Sequence, residues 1–490
     1  MANVDQILLS FPPDNQATLT DTQYDNAARR FLDQLKYMLD DQAQSQSLVA
    51  SAGHLVQLLD PSVNSISTLL LINRLKGLED GKSPISRPEL TQLVVRFLES
   101  FDGRQIRYVG DLYLELIKEL VECRWVAGPQ AVRLLATAIL RLDPTSQILT
   151  TSHRDLVELA YESKQYEAAL PVIEIPYVYV PGMKNQSDPQ RLGDQGASPA
   201  SFISPRTNLT ESLNKEVIMK YDTLCGLIFG ELDRWKDAHR AYSRVVAFPS
   251  RDGSVIKTMA NAYKKWVFSS LLAYGRLAPL PHVHGGTTKQ FQVAAKAYHD
   301  VANVFAHENV EKLRSEVDKY AKDWEDDANL SLAQQVLEGY QKWRIIALGD
   351  IYSKISISEV RELTKSAVTG KRSPNDETVE TLITGMISSG LLSGIIETHT
   401  DGKKYLSFLP KYGELSETEF AAEMKGSVAR MQALAHIVQT TDTRLLTHKD
   451  HIKFIHRELK QTDGDQHMDA RFGFDQSIED EDLMVGISQG

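Results

Sequence analysis

The stretch GLLSGIIETHTDGKKYLSF, residues 390–408, does not follow the pattern of the sequence around it. Most of the preceding chain repeats apolar residues every three or four positions, as amphipathic helices do. Here two runs rich in β-forming residues are joined by Asp401-Gly402, a dipeptide that tolerates the positive φ angles of a tight hairpin turn. A hairpin directly behind a short amphipathic helix predicts a winged helix, a fold that often binds DNA.

The residues before the hairpin supply the helices that a winged helix needs. A long helix from Leu332 carries five apolar residues on one face: Val336, Tyr340, Trp343, Ala347 and Ile351. Ser356 and Glu359 have the spacing of a capping box, which starts a short second helix. A third helix has its own apolar stripe of Val379, Leu382, Ile383, Met386 and Ile387. The order of three helices and a hairpin predicts the winged-helix part of a larger domain over residues 331–411.

Residues 1–330 read as helices joined by short connections, with almost no strand-like alternation. The first clear helix has a stripe of Tyr24, Ala28, Phe31, Leu35 and Met38. The stretch QIRYVGDLYLELIKELVE, residues 105–122, has another of Ile106, Val109, Tyr113, Leu116, Ile117 and Leu120. The fold class predicted for the whole chain is therefore mainly α.

Two segments of this helical part resemble each other. Aligning Tyr166 with Trp235 also aligns Ala169 with Ala238, at a separation of 69 residues. That is about twice the 34-residue period of tetratricopeptide repeats. In the second copy the small and large positions of a helix pair are taken by Gly226, Phe229, Ala238 and Tyr242. Residues 1–330 are predicted to form a right-handed, TPR-like helical-repeat solenoid.

Three further segments complete the domain organisation. Residues 181–212 are rich in Pro, Gly, Ser and Asn without periodicity, which predicts a flexible surface loop in the solenoid. Residues 412–460 are predicted to form C-terminal helices, the first opened by a possible capping box of Ser416 and Glu419. Residues 461–490 contain eight acidic residues against one Arg and are expected to be a disordered tail.

The composition excludes several classes of protein. The chain has 490 residues, 42% of them hydrophobic and 24% charged, which is typical of soluble globular proteins. No apolar run is long enough to cross a bilayer, and no secretory signal is expected at the N-terminus. Only two cysteines occur, Cys123 and Cys225. They indicate a reducing compartment and are expected to be buried solenoid residues.

The charge pattern argues against DNA as the ligand of the winged helix. The formal net charge is -11, whereas nucleic-acid binding needs a local cationic surface. The outer face of the third helix would present three carboxylates and no cation: Asp376, Glu377, Glu380, Thr381, Thr384 and Ser388. Lys371, Arg372, Lys403 and Lys404 are scattered around it. No direct DNA or RNA binding is expected.

Catalytic and metal-site motifs are incomplete. His282 and His284 form the His-x-His pair of JAMM-type zinc isopeptidases, but Gly285, Gln292 and Ala295 stand where the motif needs Pro, Ser and Asp. Zinc requires a third preorganised ligand. No phosphate loop, nucleophile elbow or dinucleotide fingerprint occurs. The sequence predicts no active site, no metal and no cofactor.

A helical solenoid fused to a winged helix and a closing helix resembles the PCI family, the scaffolds of the proteasome lid, the COP9 signalosome and a translation initiation factor. The resemblance covers most of residues 100–410 and is strongest to signalosome members. It is carried by QIRYVGDLYLELIKELVE, HRDLVELAYESKQYEAALPVI, LIFGELDRWKDAHRAYSRVVAFPS, ANAYKKWVFSSLLAYGRL and AKAYHDVANVF.

The resemblance implies a non-catalytic scaffold in a multi-subunit enzyme that removes a ubiquitin-like modifier from cullins, with the zinc site on another subunit. It implies other PCI and MPN subunits as partners, in the cytoplasm and nucleus and without a membrane. A proteasome-lid or initiation-factor subunit is the first alternative, and a nucleic-acid-binding winged-helix protein the second. An enzyme is the third alternative.

Two surfaces are predicted to bind these partners. The second strand of the hairpin, if it ends the sheet, leaves backbone groups unpaired for a neighbour's strand. Its candidate residues are Lys404, Tyr405, Leu406 and Phe408. The first C-terminal helix offers an apolar stripe for a shared helical bundle. Its candidate residues are Phe420, Met424, Met431, Leu434 and Val438.

Overall fold

The computed structural model of the chain describes residues 4–13, 18–78, 84–182, 192–249, 255–281, 285–307, 309–399, 403–409, 417–447 and 451–456. Within them the fold is mainly α-helical with one three-stranded antiparallel sheet, as the sequence predicts. The chain forms two compact units, Met1–Ser416 and Glu417–Gly490. Since the first unit holds both the solenoid and the winged helix, the boundary near residue 330 stays a prediction.

Nine helices span the described residues up to position 142, and each buries an apolar face against its neighbours. They are α1 (Val4–Leu9), α2 (Asp21–Asp40), α3 (Gln42–Ala50), α4 (Ala52–Leu58), α5 (Ser65–Lys76), α6 (Arg87–Ser100), α7 (Gly103–Ile106), α8 (Gly110–Val121) and α9 (Gly128–Leu142). Helix α2 begins at a capping box in which Thr20 and Gln23 satisfy each other's backbone amides. All five residues of its predicted stripe are buried.

The predicted helix over residues 105–122 is interrupted. Its six stripe residues are all buried, but α7 ends at Ile106 and α8 begins at Gly110. A Cβ atom on Gly110 would lie 2.1 Å from the carbonyl oxygen of Thr207. The backbone of residues 207–208 therefore approaches the chain where the helix breaks, a contact that periodicity cannot reveal.

The two aligned sequence segments belong to two helix pairs. The first pair is α10 (Thr151–Glu162) and α11 (Tyr166–Ile173), the short α12 (Pro199–Phe202) follows, and the second pair is α13 (Lys215–Glu231) and α14 (Trp235–Val246). Tyr166 and Trp235 are the first residues of α11 and α14. The turns before them also match, because Lys164 and Asp233, again 69 positions apart in the sequence, both have positive φ, 55° and 57°. The repeat is thus confirmed at the level of backbone geometry.

Gly226 allows the two helices of the second pair, α13 and α14, to pack closely. A Cβ atom at this position would lie 2.5 Å from Cε1 of Tyr242, closer than packed atoms approach. The missing side chain lets the Tyr242 ring of α14 lie directly against the backbone of α13. The predicted pairing of a small residue with a large one is confirmed.

Six more helices lead to the sheet domain. They are α15 (Lys257–Tyr274), α16 (Gly285–Ala294), α17 (Lys296–Phe305), α18 (Val310–Lys319), α19 (Ala321–Asp326) and α20 (Leu330–Leu348). Aromatic rings from α15, α17 and α19 form one buried cluster, in which Phe268, Tyr298 and Trp324 lie within 5.3 Å of each other, measured between ring centroids. Ile351 was predicted on the apolar face of α20, but the helix ends before it and its side chain is exposed.

The winged helix follows α20 in the predicted order. Its elements are β1 (Lys354–Ser356), α21 (Ile357–Leu363), α22 (Asp376–Ser388), β2 (Gly394–Thr398) and β3 (Lys404–Phe408). The Ser356–Glu359 capping box is present at the start of α21. One core joins the end of α20 to α21, α22 and the sheet, through buried residues that include Ile345, Val360, Ile383 and Leu406.

The sheet corrects the predicted position of the hairpin's second strand. Its order is β1-β3-β2, so β3 is the central strand and is paired on both sides. The sequence pattern predicts a capping box at Ser356 and Glu359 but no strand before it. Because the N-cap Ser356 has extended backbone angles, residues 354–356 also pair with β3. A strand of this length is too short for alternation to reveal it.

Two other expectations are wrong in part. Residues 192–212 are not a free surface loop, since Ala200, Phe202, Ile203 and Leu209 are buried; residues 183–191 lie outside the described residues. Cys225 is buried as predicted, but Cys123 is exposed. Cys123 follows the end of α8 with a φ of 54°, which turns it out of the helical stripe.

The second unit contains α23 (Glu417–Thr447) and a helical segment at 451–456. Ser416 of the predicted capping box and the acidic tail 461–490 lie outside the described residues, so those two interpretations stay predictions. No helix in the described part of the chain has the length and apolar character needed to cross a membrane.

Candidate partner interface

The free edge of the sheet that belongs to the hairpin is β2, not β3. His399 donates its amide to Lys403 and Leu409 donates its amide to Ser393. Because hydrogen-bonding residues alternate along an antiparallel strand, the backbone groups of Gly394, Ile396 and Thr398 point away from β3. No further strand pairs with β2 among the described residues. A neighbour's strand would therefore add at β2.

The four candidate residues of β3 have other roles. Leu406 is fully buried in the core of the winged helix, in register with Ile355 on one side and Ile396 on the other. Phe408 packs against Gly349, where a Cβ atom would lie 2.8 Å from the ring. Lys404 is exposed, and Tyr405, on the opposite face of the strand, is partly buried. The structure thus places Leu406 and Phe408 in the interior rather than at an edge.

Two of the four basic residues named around the third helix, Lys404 and Arg372, are engaged by carboxylates. Lys404 of β3 forms an ion pair with Glu380 of α22, with a distance of 2.6 Å between Nζ and Oε1. Arg372 forms an ion pair with Glu362. Nε of Arg361 lies 3.3 Å from Oδ1 of Asp376. A phosphate backbone would have to compete with these partners. The face predicted to be unsuited to DNA is therefore both acidic and internally paired.

The α23 helix presents the second predicted surface. Phe420, Met424, Met431 and Val438 are each at least half exposed, with Met431 at 71%, while Leu434 is half-buried. Their spacing of three, four or seven residues places them on one side of the helix. The stripe remains a prediction as an interface, and the exposure of its side chains is compatible with a partner.

One stripe residue was missed from the sequence. Val428, half exposed, lies four positions after Met424 and joins the same side of α23. The i, i+4 rule alone would have found it. The β2 residues were missed for a different reason, because strand order is a property of the sheet and not of either strand.

The described residues contain no group of three or more His, Cys, Asp and Glu side chains that could hold a metal ion. His282 and His284 lie outside the described residues. Burial raises the pKa of the Cys225 thiol to about 12, which leaves it protonated and unreactive at neutral pH.

Comparison with known proteins fixes the family. A family model described as "COP9 signalosome complex subunit 3, N-terminal helical repeats" matches residues 29–287. A Neurospora crassa protein named COP9 signalosome complex subunit 3 is 34% identical, over 98% of both chains. This chain belongs to the COP9 signalosome complex subunit 3 family.

More distant relatives carry the same name. The Emericella nidulans protein is 27% identical over 91% of both chains, and the Drosophila melanogaster protein is 24% identical over 72% of this chain and 77% of its own. The family model starts within α2 and ends within α16, so it covers both aligned helix pairs. The resemblance to signalosome members of the PCI family is confirmed.

Proposed function

We propose that this chain is a non-catalytic scaffold subunit of the COP9 signalosome and supports removal of a ubiquitin-like modifier from cullins by holding other subunits. Membership of the subunit 3 family supports the assignment of this chain to the complex. The observation that carries the scaffold role is the exposed apolar side of α23. A helix that exposes five large apolar side chains to water gains free energy when a partner buries them.

The α23 stripe suits a helical partner. The helix has 31 residues and so is roughly 46 Å long. Its exposed apolar residues run from Phe420 to Val438 at the spacing of a helix-packing seam. Helices of other subunits would bury this seam in a common bundle. Methionine is well suited to such a surface because its flexible side chain adapts to irregular neighbours.

The β2 edge suits strand addition. Ile396 and Thr398 offer outward backbone donors and acceptors, whereas Gly394 is buried, and Ile395 adds an exposed apolar side chain beside them. A winged-helix strand of another PCI subunit would extend the sheet through these groups. The hairpin would thus still dock a partner, but the partner's strand would pair with β2 instead of β3.

The domain organisation, the partners and the location of the chain are proposed together with the scaffold role. Residues 1–330 would form the solenoid, 331–411 the winged helix and 412–460 the bundle helices. The partners would be other PCI and MPN subunits, in the cytoplasm and nucleus, and neither DNA nor RNA. The isolated chain would have no isopeptidase activity.

A pair of charge substitutions tests the proposal. Met424→Glu with Met431→Glu places two carboxylates on the seam, where burial without a partner charge costs several kcal/mol. The matched control is Ala422→Glu with Ala429→Glu, which has the same seven-residue spacing on the opposite side of α23, at exposed positions. Each tagged variant is expressed in its native cells and the co-eluting proteins are identified.

The methionine variant is expected to stay folded by circular dichroism and to lose the signalosome subunits. The alanine variant should retain them. Equal retention by both variants would contradict the role of the seam. Co-elution of proteasome-lid or initiation-factor subunits instead would favour the alternative complexes.

A further inference from the structure

A cavity of about 660 Å³ lies in the first unit, between α2, α7, the end of α9 and the segment at residues 195–202. It is distant in sequence from the winged helix and from α23. Three arginines line it, Arg104, Arg107 and Arg141, with Asp102 as its acidic residue. On a chain with a net charge of -11, this concentration of positive charge needs an explanation.

The arginines are held in place by the protein around them. Arg104 donates from Nε to the carbonyl of Gly193 at 2.7 Å and from Nη2 to Asp21 at 2.8 Å. Arg107 donates from Nη1 to the carbonyls of Leu192 and Asp194, at 3.1 and 2.7 Å. Arg141 donates from Nε to the carbonyl of Glu99 at 2.7 Å. Each guanidinium is thus fixed by part of its five donors.

Aromatic rings hold two of the guanidinium planes. The Arg104 guanidinium lies 3.6 Å from the centroid of the Tyr24 ring, and that of Arg107 lies 3.7 Å from the centroid of Phe202. Stacking of this kind orients the flat guanidinium and leaves its edge for a ligand. The site is therefore preorganised.

Two buried polar atoms of residues that line the cavity lack a partner among the described residues. The hydroxyl of Tyr24, a residue that is 1% exposed, has no hydrogen bond there, and neither does Nε of Arg107. Buried groups of this kind are nearly always paired in folded proteins. Burial lowers the pKa of Arg107, Asp102 offsets part of that effect, and the neighbouring Arg104 lowers it further. A bound anion would relieve the repulsion, and a local shift that opens these two atoms to the cavity would let the anion pair with them.

The outer wall comes from the segment that the sequence presents as a loop. A Cβ atom on Gly193 would lie 2.8 Å from the carbonyl of Asp21 and 3.0 Å from the Tyr108 hydroxyl. Only glycine permits this approach, which brings the carbonyls of residues 192–194 onto Arg104 and Arg107. The segment is therefore built into the cavity.

We propose that this cavity binds a small phosphate ester. The lining carries three guanidinium groups against the carboxylate of Asp102, and Asp21 neutralises part of the charge of Arg104. The cavity therefore keeps a net positive charge, which suits an anion such as a phosphate monoester. Guanidinium edges fit phosphate oxygens in a bidentate manner. The volume exceeds what a free phosphate ion needs and is in the range of small-molecule sites.

The test measures binding of inorganic phosphate, glycerol 3-phosphate and succinate to the full chain by calorimetry and thermal unfolding, at constant ionic strength. Saturable binding of the two phosphate compounds with one site per chain is expected, and at least tenfold weaker binding of succinate. Tighter binding of the ester than of the free ion would assign part of the affinity to its organic group. Equal affinities would assign it to the phosphate alone.

Tyr24→Phe separates a ligand role from a structural one. Because the Tyr24 hydroxyl has no partner among the described residues, its removal should leave the unliganded chain as stable as the wild type, yet weaken phosphate binding at least fivefold. Tyr113→Phe is the control for phosphate affinity, since that phenol is also buried but does not line the cavity. Its hydroxyl donates to the carbonyl of Ala138, so this change is expected to lower stability slightly and to leave the affinity unchanged. Absence of saturable phosphate binding, succinate binding of equal strength, or an unchanged affinity in Tyr24→Phe would each overturn the proposal.

Discussion

Lys404 on the central strand of the sheet lies 2.6 Å from Glu380 on the third helix of the winged helix. The contact joins the hairpin to the helix that would enter a DNA groove in a DNA-binding member of this fold. The lysine at the base of the wing is therefore an internal partner of a carboxylate. Its charge is neutralised by Glu380, while Asp376 and Glu377 keep the helix face acidic.

Exchanging the charges of this pair tests its role. Lys404→Glu should cost less than about 1 kcal/mol of folding free energy, because both side chains are partly exposed and such pairs contribute little. Adding Glu380→Lys should restore most of that loss. Chemical denaturation of the single and double variants measures the coupling, and neither change is expected to alter co-elution of subunits. A loss of assembly in the single variant that the double variant rescues would make the pair part of the interface.

Two proline substitutions distinguish the edge strand from the central strand. Thr398→Pro removes an amide that points away from β3, at an exposed position, so the fold should remain intact while strand addition at β2 weakens. Leu406→Pro removes a ladder amide and a fully buried side chain, and should cost about 4 kcal/mol or more. Circular dichroism and co-elution, measured together, separate the two effects. Unfolding of Thr398→Pro would show that the β2 edge is structural.

Two glycine substitutions test the packing of the repeat. Gly226→Ala forces a Cβ atom to within 2.5 Å of the Tyr242 ring, and such overpacking should cost about 1–3 kcal/mol. Gly385→Ala is the matched helical control, since an added Cβ there meets no atom within 4 Å. It should stabilise the chain by about 0.5–1 kcal/mol. Thermal unfolding of both variants checks the opposite signs, and equal shifts would refute the close approach.

A buried histidine should make the fold sensitive to acid. Burial lowers the pKa of His153 to about 3, against about 6.5 in an unfolded chain. Between these values the unfolded state binds the extra proton, so stability is complete above pH 6.5 and falls as the pH is lowered. At pH 5 the loss is about 2 kcal/mol from this residue alone. Burial also lowers the pKa of His239 to about 4, which adds a loss of the same sign.

His153→Gln measures this contribution. Denaturation at pH 7.5 and pH 5 should show a drop about 2 kcal/mol smaller in the variant than in the wild type. His307→Gln, at an exposed position, controls for the substitution itself. The same drop in wild type and His153→Gln would mean that His153 is not the group that titrates.

Local patterns in the sequence were enough for most of the helices and for the order of the winged helix, but not for the break between α7 and α8 or for the end of α20. The stripe from Tyr24 to Met38 is buried because a period near 3.6 residues places it on one side of a helix. The capping box at Ser356 and Glu359 is correct because it depends on atoms three residues apart. The match of Tyr166 with Trp235 is correct because each residue begins the second helix of a helix pair. Each of these features is decided by near neighbours in the chain.

Only the tertiary structure decided which strand is free, where residues 192–212 lie and what surrounds Tyr24. Strand β3 is central because residues 354–356 pair with it across more than 45 positions of the sequence. Gly193 can lie against α2 because it has no side chain, and the close backbone there would leave no space for one. Periodicity records which side of an element is buried, but it does not record what that side is buried against. Contacts between distant residues depend on the arrangement of whole elements, so the edge, the cavity wall and the unpartnered hydroxyl became visible only in the folded chain.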